Sequence, residues 1–182
     1  MNKLSKLIFL DVETVSNQND YWSNIENQND LIQISFIDLF DNETDIILRP
    51  YKTYHETTNW YEEHRLTWDI VKDMHELPNY YFELKEKLEG NTIVAHNMNF
   101  DRNVIFQSLR NYDLPMFQNI NWIDSKQIYA DYFGIKNKSY TKLERLAKQI
   151  GIYDDRAHNG LVDAKMLRSV FMNMLRQNIT EV

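Results

Sequence analysis

The 182-residue sequence contains no cysteine and very little glycine or proline. The lack of cysteine excludes disulfide bridges, thiolate zinc sites and cysteine nucleophiles. Only four glycines and three prolines are present, which argues against long linkers and low-complexity tails. Long apolar runs are also missing, so the sequence offers neither a signal peptide nor a segment able to cross a bilayer. We therefore expect a soluble cytoplasmic protein without a membrane partner.

The size and composition fit one globular unit, and we expect residues 1–182 to form a single domain. Acidic residues outnumber basic ones, 27 to 20, which gives a formal net charge of −7. Such a charge does not by itself favour a nucleic-acid partner. Two divalent cations bound by four of the acidic residues would offset their charge locally, and local charge governs the approach of a substrate.

Carboxylates occupy positions where the pattern of three segments calls for core residues. Asp11 and Glu13 follow a buried strand that begins at Leu7, and they share the parity of Leu7 and Phe9, so both point to one face. Asp101 begins a predicted helix with an apolar stripe. Asp163 lies four residues before Leu167 on the core face of the last helix.

Buried carboxylates are unfavourable unless they are paired or bind a cation. The sequence offers no matching set of buried bases, so the convergence of four acids favours divalent metal ions. Carboxylate oxygens suit hard cations such as Mg²⁺ or Mn²⁺ better than zinc.

The remaining patterns predict a mixed sheet covered by helices, because antiparallel strands come first and strand–helix alternation follows. Strands are predicted near residues 6–14, 31–37, 44–48, 92–95 and 122–123. Helices are predicted to end at Gly90 and Gly151, to begin at Asp101, to be capped by Asp124 or Ser125, and to span about 160–176. No internal repeat or second core is visible.

Three motifs occur in order along the chain: residues 11–14 read D-x-E-T, residues 94–101 read V-A-H-N-x-x-F-D, and residues 158–164 read H-x-x-x-x-D-A. They resemble the motifs of DEDDh-type 3′–5′ exonucleases, the family of the proofreading subunit of bacterial DNA polymerase III, with ribonuclease T and oligoribonuclease as relatives. The motifs span nearly the whole chain. The resemblance implies an α/β protein with a ribonuclease H-like fold, in which helices flank a mixed five-stranded sheet.

The resemblance also implies an activity and a set of ligands. The expected enzyme releases nucleoside monophosphates from a single-stranded or frayed 3′ end of DNA, with two Mg²⁺ or Mn²⁺ ions as cofactors. Asp11, Glu13 and Asp163 would hold one ion. Asp11 would be shared with the second ion, and Asp101 would act on it largely through water. His158 would be the general base.

Five residues are implied as substrate contacts: Thr14, Val15, His64, Asn97 and Phe100. Family members usually read T-G-L after D-x-E, and the apolar residue wedges against the terminal base. Here Val15 and Ser16 follow Thr14, so Val15 would take over part of that role. Phe100 offers an aromatic face to a sugar or base.

Several alternatives stay open at this point. An RNA-directed relative would trim RNA ends or short oligoribonucleotides, and the D-x-E-T form leans towards the DNA branch without excluding it. A non-catalytic nucleic-acid-binding module would have lost an acid or the histidine, and none is lost. A DNA polymerase is a possible partner. His96 is expected to support its loop by hydrogen bonds, and the basic run 136–145 is either a solvated helix face or a phosphate contact.

Overall fold

The computed structural model describes residues 6–16, 29–52, 66–136 and 138–180. Within these ranges the strands are β1 Leu7–Ser16, β2 Asn29–Asp38, β3 Glu43–Ile47, β4 Thr92–Ala95 and β5 Asn121–Asp124. The helices are α1 Trp68–Val71, α2 Leu77–Leu88, α3 Met98–Asn111, α4 Ser125–Tyr132, α5 Leu143–Gln149 and α6 Gly160–Thr180, with a 3₁₀ turn at Lys138–Thr141. None of these helices is long and apolar enough to cross a membrane.

The five strands form one sheet in the order β3-β2-β1-β4-β5. β1 pairs antiparallel with β2, and β2 pairs antiparallel with β3. β4 lies parallel to both β1 and β5, and α3 forms the crossover between β4 and β5. The mixed five-stranded sheet predicted from the sequence is therefore confirmed.

Helices cover both faces of the sheet, as the alternating strand pattern requires. On one face, α2 and α3 pack on side chains of β1 that include Ile8, Leu10 and Val12. On the other face, α6 packs on Phe9 and is itself backed by α5. Alternate residues of β1 thus enter two different cores, and the odd-numbered residues face α6.

Two irregularities of β1 shape the region beyond Leu10. Pairing with β4 stops at Phe9 and Val94, so β1 continues for seven residues past its last parallel partner. The register with β2 shifts between Glu13 and Thr14. Such bulges re-aim side chains and are common beside functional sites.

One predicted boundary was wrong. The helix that carries Asp101 begins at Met98, three residues earlier than its apolar stripe indicated. It follows Asn97, whose backbone is left-handed with φ +111°. Asp101 therefore lies in the first turn of α3 and is not its first residue. The other predicted elements lie within a few residues of their expected places, whereas the short helix α1 was not predicted.

Candidate active site

Asp11 and Glu13 interrupt the apolar side of β1 that faces α6. Phe9 precedes them in one buried cluster with α6, and Val15 follows them in a second cluster with Ile32 and Val71. The two carboxylates therefore lie in a gap between two apolar clusters on the same face of the sheet, as the alternation of β1 predicted.

Asp163 reaches the same gap from the first turn of α6, because the start of that helix lies directly on β2. The amide of Gly160 donates to Gln33 Oε1 at 3.1 Å. A Cβ atom at position 160 would lie 2.8 Å from Ser35 Oγ, so a larger residue would require the helix or Ser35 to shift. Ser35 and Gln33 are the cross-strand neighbours of Asp11 and Glu13, which explains why Asp163 arrives beside those two acids.

The side chains of Asp11, Glu13 and Asp163 form a cluster, in which one carboxylate oxygen from each lies within 4.8 Å of the other two. Burial raises the pKa of Asp11 well above its ordinary value, and the charges of Asp101, Glu13 and Asp163 raise it further. A cation would relieve this repulsion. The all-oxygen donor set fits a hard divalent ion, so these residues could hold Mg²⁺ or Mn²⁺.

Asp101 approaches the cluster from the opposite side, on α3. Its buried carboxylate accepts hydrogen bonds from its own amide and from the amide of Val12, on the part of β1 that extends past β4. Burial raises the pKa of Asp101 to about 8, and the charges of Glu13 and Asp124 contribute. Asp101 is not among the three mutually close acids, but its charge reaches Asp11.

His158 lies on the exposed loop before α6. Its backbone adopts a left-handed conformation with φ +66°, and its amide donates to Asp163 Oδ2 at 3.2 Å. The loop is thereby attached to the acid cluster through the backbone, whereas the imidazole remains exposed. An exposed imidazole can exchange protons with solvent and is therefore suited to proton transfer.

The predicted substrate contacts differ in how far they are exposed to solvent. Thr14 is half-buried directly after Glu13, whereas Asn97 and Phe100 are exposed on either side of the α3 start. Val15 is fully buried among Ile32, Leu66 and Val71, so it offers no surface to a base, and we correct its assignment from substrate contact to core packing. His64 lies outside the described residues.

His96 holds its loop by hydrogen bonds, as the sequence indicated. Its Nδ1 lies 3.0 Å from Ser125 Oγ and its Nε2 lies 2.6 Å from the carbonyl oxygen of Thr141. Nε2 therefore carries the proton, because a carbonyl can only accept. Burial lowers the pKa of His96 to about 4, so the ring is neutral and links β4 to α4 and to the 3₁₀ turn.

Sequence reasoning missed a polar layer beneath the acids. Gln33 Nε2 and Ser35 Oγ, both on fully buried residues, donate to Asp45 Oδ1 at 2.7 and 2.6 Å. The signal was available, because Gln33 and Ser35 interrupt the apolar strand Ile32–Ile37 at alternate positions. Asp124, expected as a helix cap, does accept from the amide of Lys126, but its charge also acts on Asp101.

Comparison with known proteins agrees with this geometry. A family model described as exonuclease matches residues 8–171. None of the curated proteins matches the chain significantly. Among solved structures, the nuclease domain of 3′hExo, a DEDDh family member bound to rAMP, superposes with a TM-score of 0.77 at 18% identity over 95% of this chain and 92% of that chain.

Two DNA complexes are also similar. Exonuclease X with 5′ overhanging duplex DNA gives a TM-score of 0.66 at 18% identity over 94% of this chain and 92% of that chain. The ExoI–ssDNA complex of E. coli gives 0.72 at 14% identity over 97% of this chain and 42% of that chain. The family model covers most of the sequence and all three motifs lie within it, so the chain belongs to the exonuclease family, as a 3′–5′ exonuclease of the DEDDh type.

Proposed function

We propose that this chain, acting as a single domain, removes nucleoside monophosphates one at a time from the 3′ end of single-stranded or frayed DNA. The observation that carries the proposal is the cluster of three carboxylates within 4.8 Å, with Asp101 on one side and the His158 loop on the other. Structural relatives bound to single-stranded and overhanging DNA support the choice of substrate.

Asp11, Glu13 and Asp163 would hold one divalent ion, and Asp11 with Asp101 would hold a second. Mg²⁺ or Mn²⁺ supplies activation of water and stabilisation of negative charge on the phosphate. The protein supplies a fixed, partly buried frame of oxygens. The hydrogen bond from Val12 orients the Asp101 carboxylate, and the contact of Gly160 with β2 orients Asp163.

His158 takes the proton from the attacking water in this proposal. The hydrogen bond from its backbone amide to Asp163 attaches the loop to the cluster, and the exposure of the imidazole would let the proton leave to solvent. The terminal nucleotide would contact three residues on the α3 side of the acids, namely Thr14, Asn97 and Phe100. The Phe100 side chain is 38% exposed and is available for stacking.

The test is degradation of a 5′-labelled DNA strand in Mg²⁺. A ladder that shortens from the 3′ end is expected for the wild type, and none for Asp11→Asn or after addition of EDTA. The exposed Asp131→Asn is the matched control and should remain active. An unchanged ladder in Asp11→Asn or in EDTA would refute the metal mechanism.

For His158, the Asn variant is the sharper test, because asparagine tolerates the left-handed backbone at this position. His158→Asn should lower kcat by about 10²- to 10⁴-fold while binding of the strand persists. His75→Asn, at an exposed histidine on another surface, is its control. Equal kcat values for His158→Asn and the wild type would remove His158 from the mechanism.

RNA is the second candidate substrate, because a relative in this fold is bound to rAMP and another is described as recognising a histone mRNA stem-loop. Matched DNA and RNA strands degraded side by side decide between them, and faster release from RNA would overturn the DNA assignment. A DNA polymerase partner has support only from the motif resemblance. Full activity of the chain alone would show that no partner is needed.

A further inference from the structure

A groove runs along α3, beginning beside the acid cluster and ending near the last turn of the helix. Its volume is about 310 Å³. It begins at Phe100, the residue before the buried Asp101. Its polar and aromatic lining consists of Asn29, Asn99, Phe100, Asn103, Gln107 and Arg110.

The α3 side chains of the groove recur every three or four residues, so they form one stripe along the helix. The opposite stripe of α3, which includes Ile105 and Leu109, is buried in the core. From Asn99 to Arg110 the stripe extends about 16 Å, at roughly 1.5 Å per residue. That length is several times the ~3.4 Å rise of one stacked nucleotide, so the stripe can contact more than one nucleotide.

The charge of the groove differs from that of the chain. The chain carries a formal net charge of −7, yet none of the described residues that line the groove is acidic. One cation, Arg110, is exposed at its far end, and its Nη2 donates to Gln107 Oε1 at 3.0 Å. A surface without carboxylates beside a cluster of carboxylates is suited to a polyanion.

The amides of the groove add hydrogen bonding of both kinds. Each can donate and accept, which matches the mixed donors and acceptors of base edges and sugars. Gln107 Nε2 donates to Asn111 Oδ1 at 2.8 Å, so this amide is held in a fixed orientation. Asn103 is exposed, and within the described part of the chain no side chain hydrogen-bonds to its amide, so this amide is available to a ligand.

We propose that this α3 groove binds the single-stranded nucleotides that precede the 3′-terminal one. Asn103 and Gln107 contact bases and sugars, and Arg110 contacts a backbone phosphate. The inference rests on the proposed function, and it adds that the enzyme holds several nucleotides of its substrate along one helix, chiefly through uncharged side chains.

Strand length provides the test, because only longer strands reach the far end of the groove. KM is measured for DNA strands of two and six nucleotides in Mg²⁺. Arg110→Ala and Asn103→Ala should raise KM for the six-nucleotide strand by about tenfold, and by clearly less for the two-nucleotide strand. Equal increases for both lengths, or no increase for either, would overturn the proposal.

Salt dependence separates the two kinds of contact. Loss of one phosphate contact should reduce the slope of log KM against log salt by about 0.7 in Arg110→Ala. Asn103→Ala should leave the slope as it is in the wild type. A slope that is unaltered in Arg110→Ala would refute the phosphate contact.

Matched controls lie on other surfaces. Lys87→Ala removes the same charge near the N-terminal ends of β1 and β4, and Asn173→Ala removes an amide from α6. Both should behave as the wild type. If the wild type cleaves neither strand, the proposed function fails; fluorescence anisotropy with the same two labelled strands then still decides whether the groove binds single-stranded DNA.

Discussion

Replacement of Gly160 by alanine tests how the site is assembled, because this glycine sets the distance between α6 and the sheet. The added Cβ would lie 2.8 Å from Ser35 Oγ and 3.3 Å from Ser35 Cβ, whereas ordinary contact begins at 3.4 Å. The start of α6 must therefore move by about 0.6 Å, or Ser35 must turn away. Turning Ser35 breaks its 2.6 Å hydrogen bond to Asp45.

Either response has a measurable size. Overpacking of this kind destabilises the folded state by roughly 1–3 kcal/mol. A 1 Å misplacement can lower the rate about 10²-fold, so a shift near 0.6 Å at Asp163 should lower kcat by roughly tenfold. The loss of activity should therefore be larger than the loss of stability alone would cause.

The assay is kcat on a single-stranded oligonucleotide, together with urea unfolding. Ser35→Ala should restore the Gly160→Ala variant in part, because it removes the atom at 2.8 Å and leaves the one at 3.3 Å. Ser169→Ala, at an exposed position of α6, is the matched control. Wild-type kcat in Gly160→Ala, or a double variant no better than the single one, would refute this account of how Asp163 is placed.

Three further outcomes concern the charged groups. Without metal, Asp11→Asn should be more stable than the wild type in urea unfolding, because the variant no longer buries an acid beside other acids. Lower stability of the variant would contradict the raised pKa of Asp11. Mg²⁺ at a hundredfold excess over its Kd should increase the free energy of unfolding of the wild type by about 2.7 kcal/mol and raise its Tm. An equal increase in Asp11→Asn would show that the ion binds elsewhere. The pKa of His96 is about 4 in the folded protein and 6.5 in the unfolded chain. The folded state therefore has its full stability above pH 6.5, and it loses stability as the pH falls towards 4, because the unfolded chain then binds a proton that the buried ring does not. Between pH 7 and 5 the wild type should lose roughly 2 kcal/mol that His96→Asn does not lose, and parallel curves would show that His96 is not buried as a neutral ring.

The strands and the acid positions could be predicted because their signals are local. Alternation along β1 placed Asp11 and Glu13 on one face, and the stripe of α6 placed Asp163 towards the core. The three motifs supplied the long-range information, namely that these distant segments meet. Periodicity alone would not have brought α6 onto β1.

The failures share a different cause, since each depends on contacts between distant segments. Val15 looked available for a base, but Leu66 and Val71, more than fifty residues later, cover it. The early start of α3 depends on the left-handed Asn97, which the apolar stripe does not report. Gly160 carried no local signal, because its role is defined only by the side chain of Ser35 on another strand.

The extension of β1 past β4 has a consequence for solubility. A strand that continues beyond its neighbour presents an open edge, and open edges recruit strands of other molecules. The Asp101 carboxyl group accepts the amide of Val12 on this extension and so satisfies a main-chain donor that has no partner in β4. Asp101 therefore prevents the Val12 amide from pairing with a strand of another molecule. Replacement of Asp101 should first increase aggregation at high protein concentration.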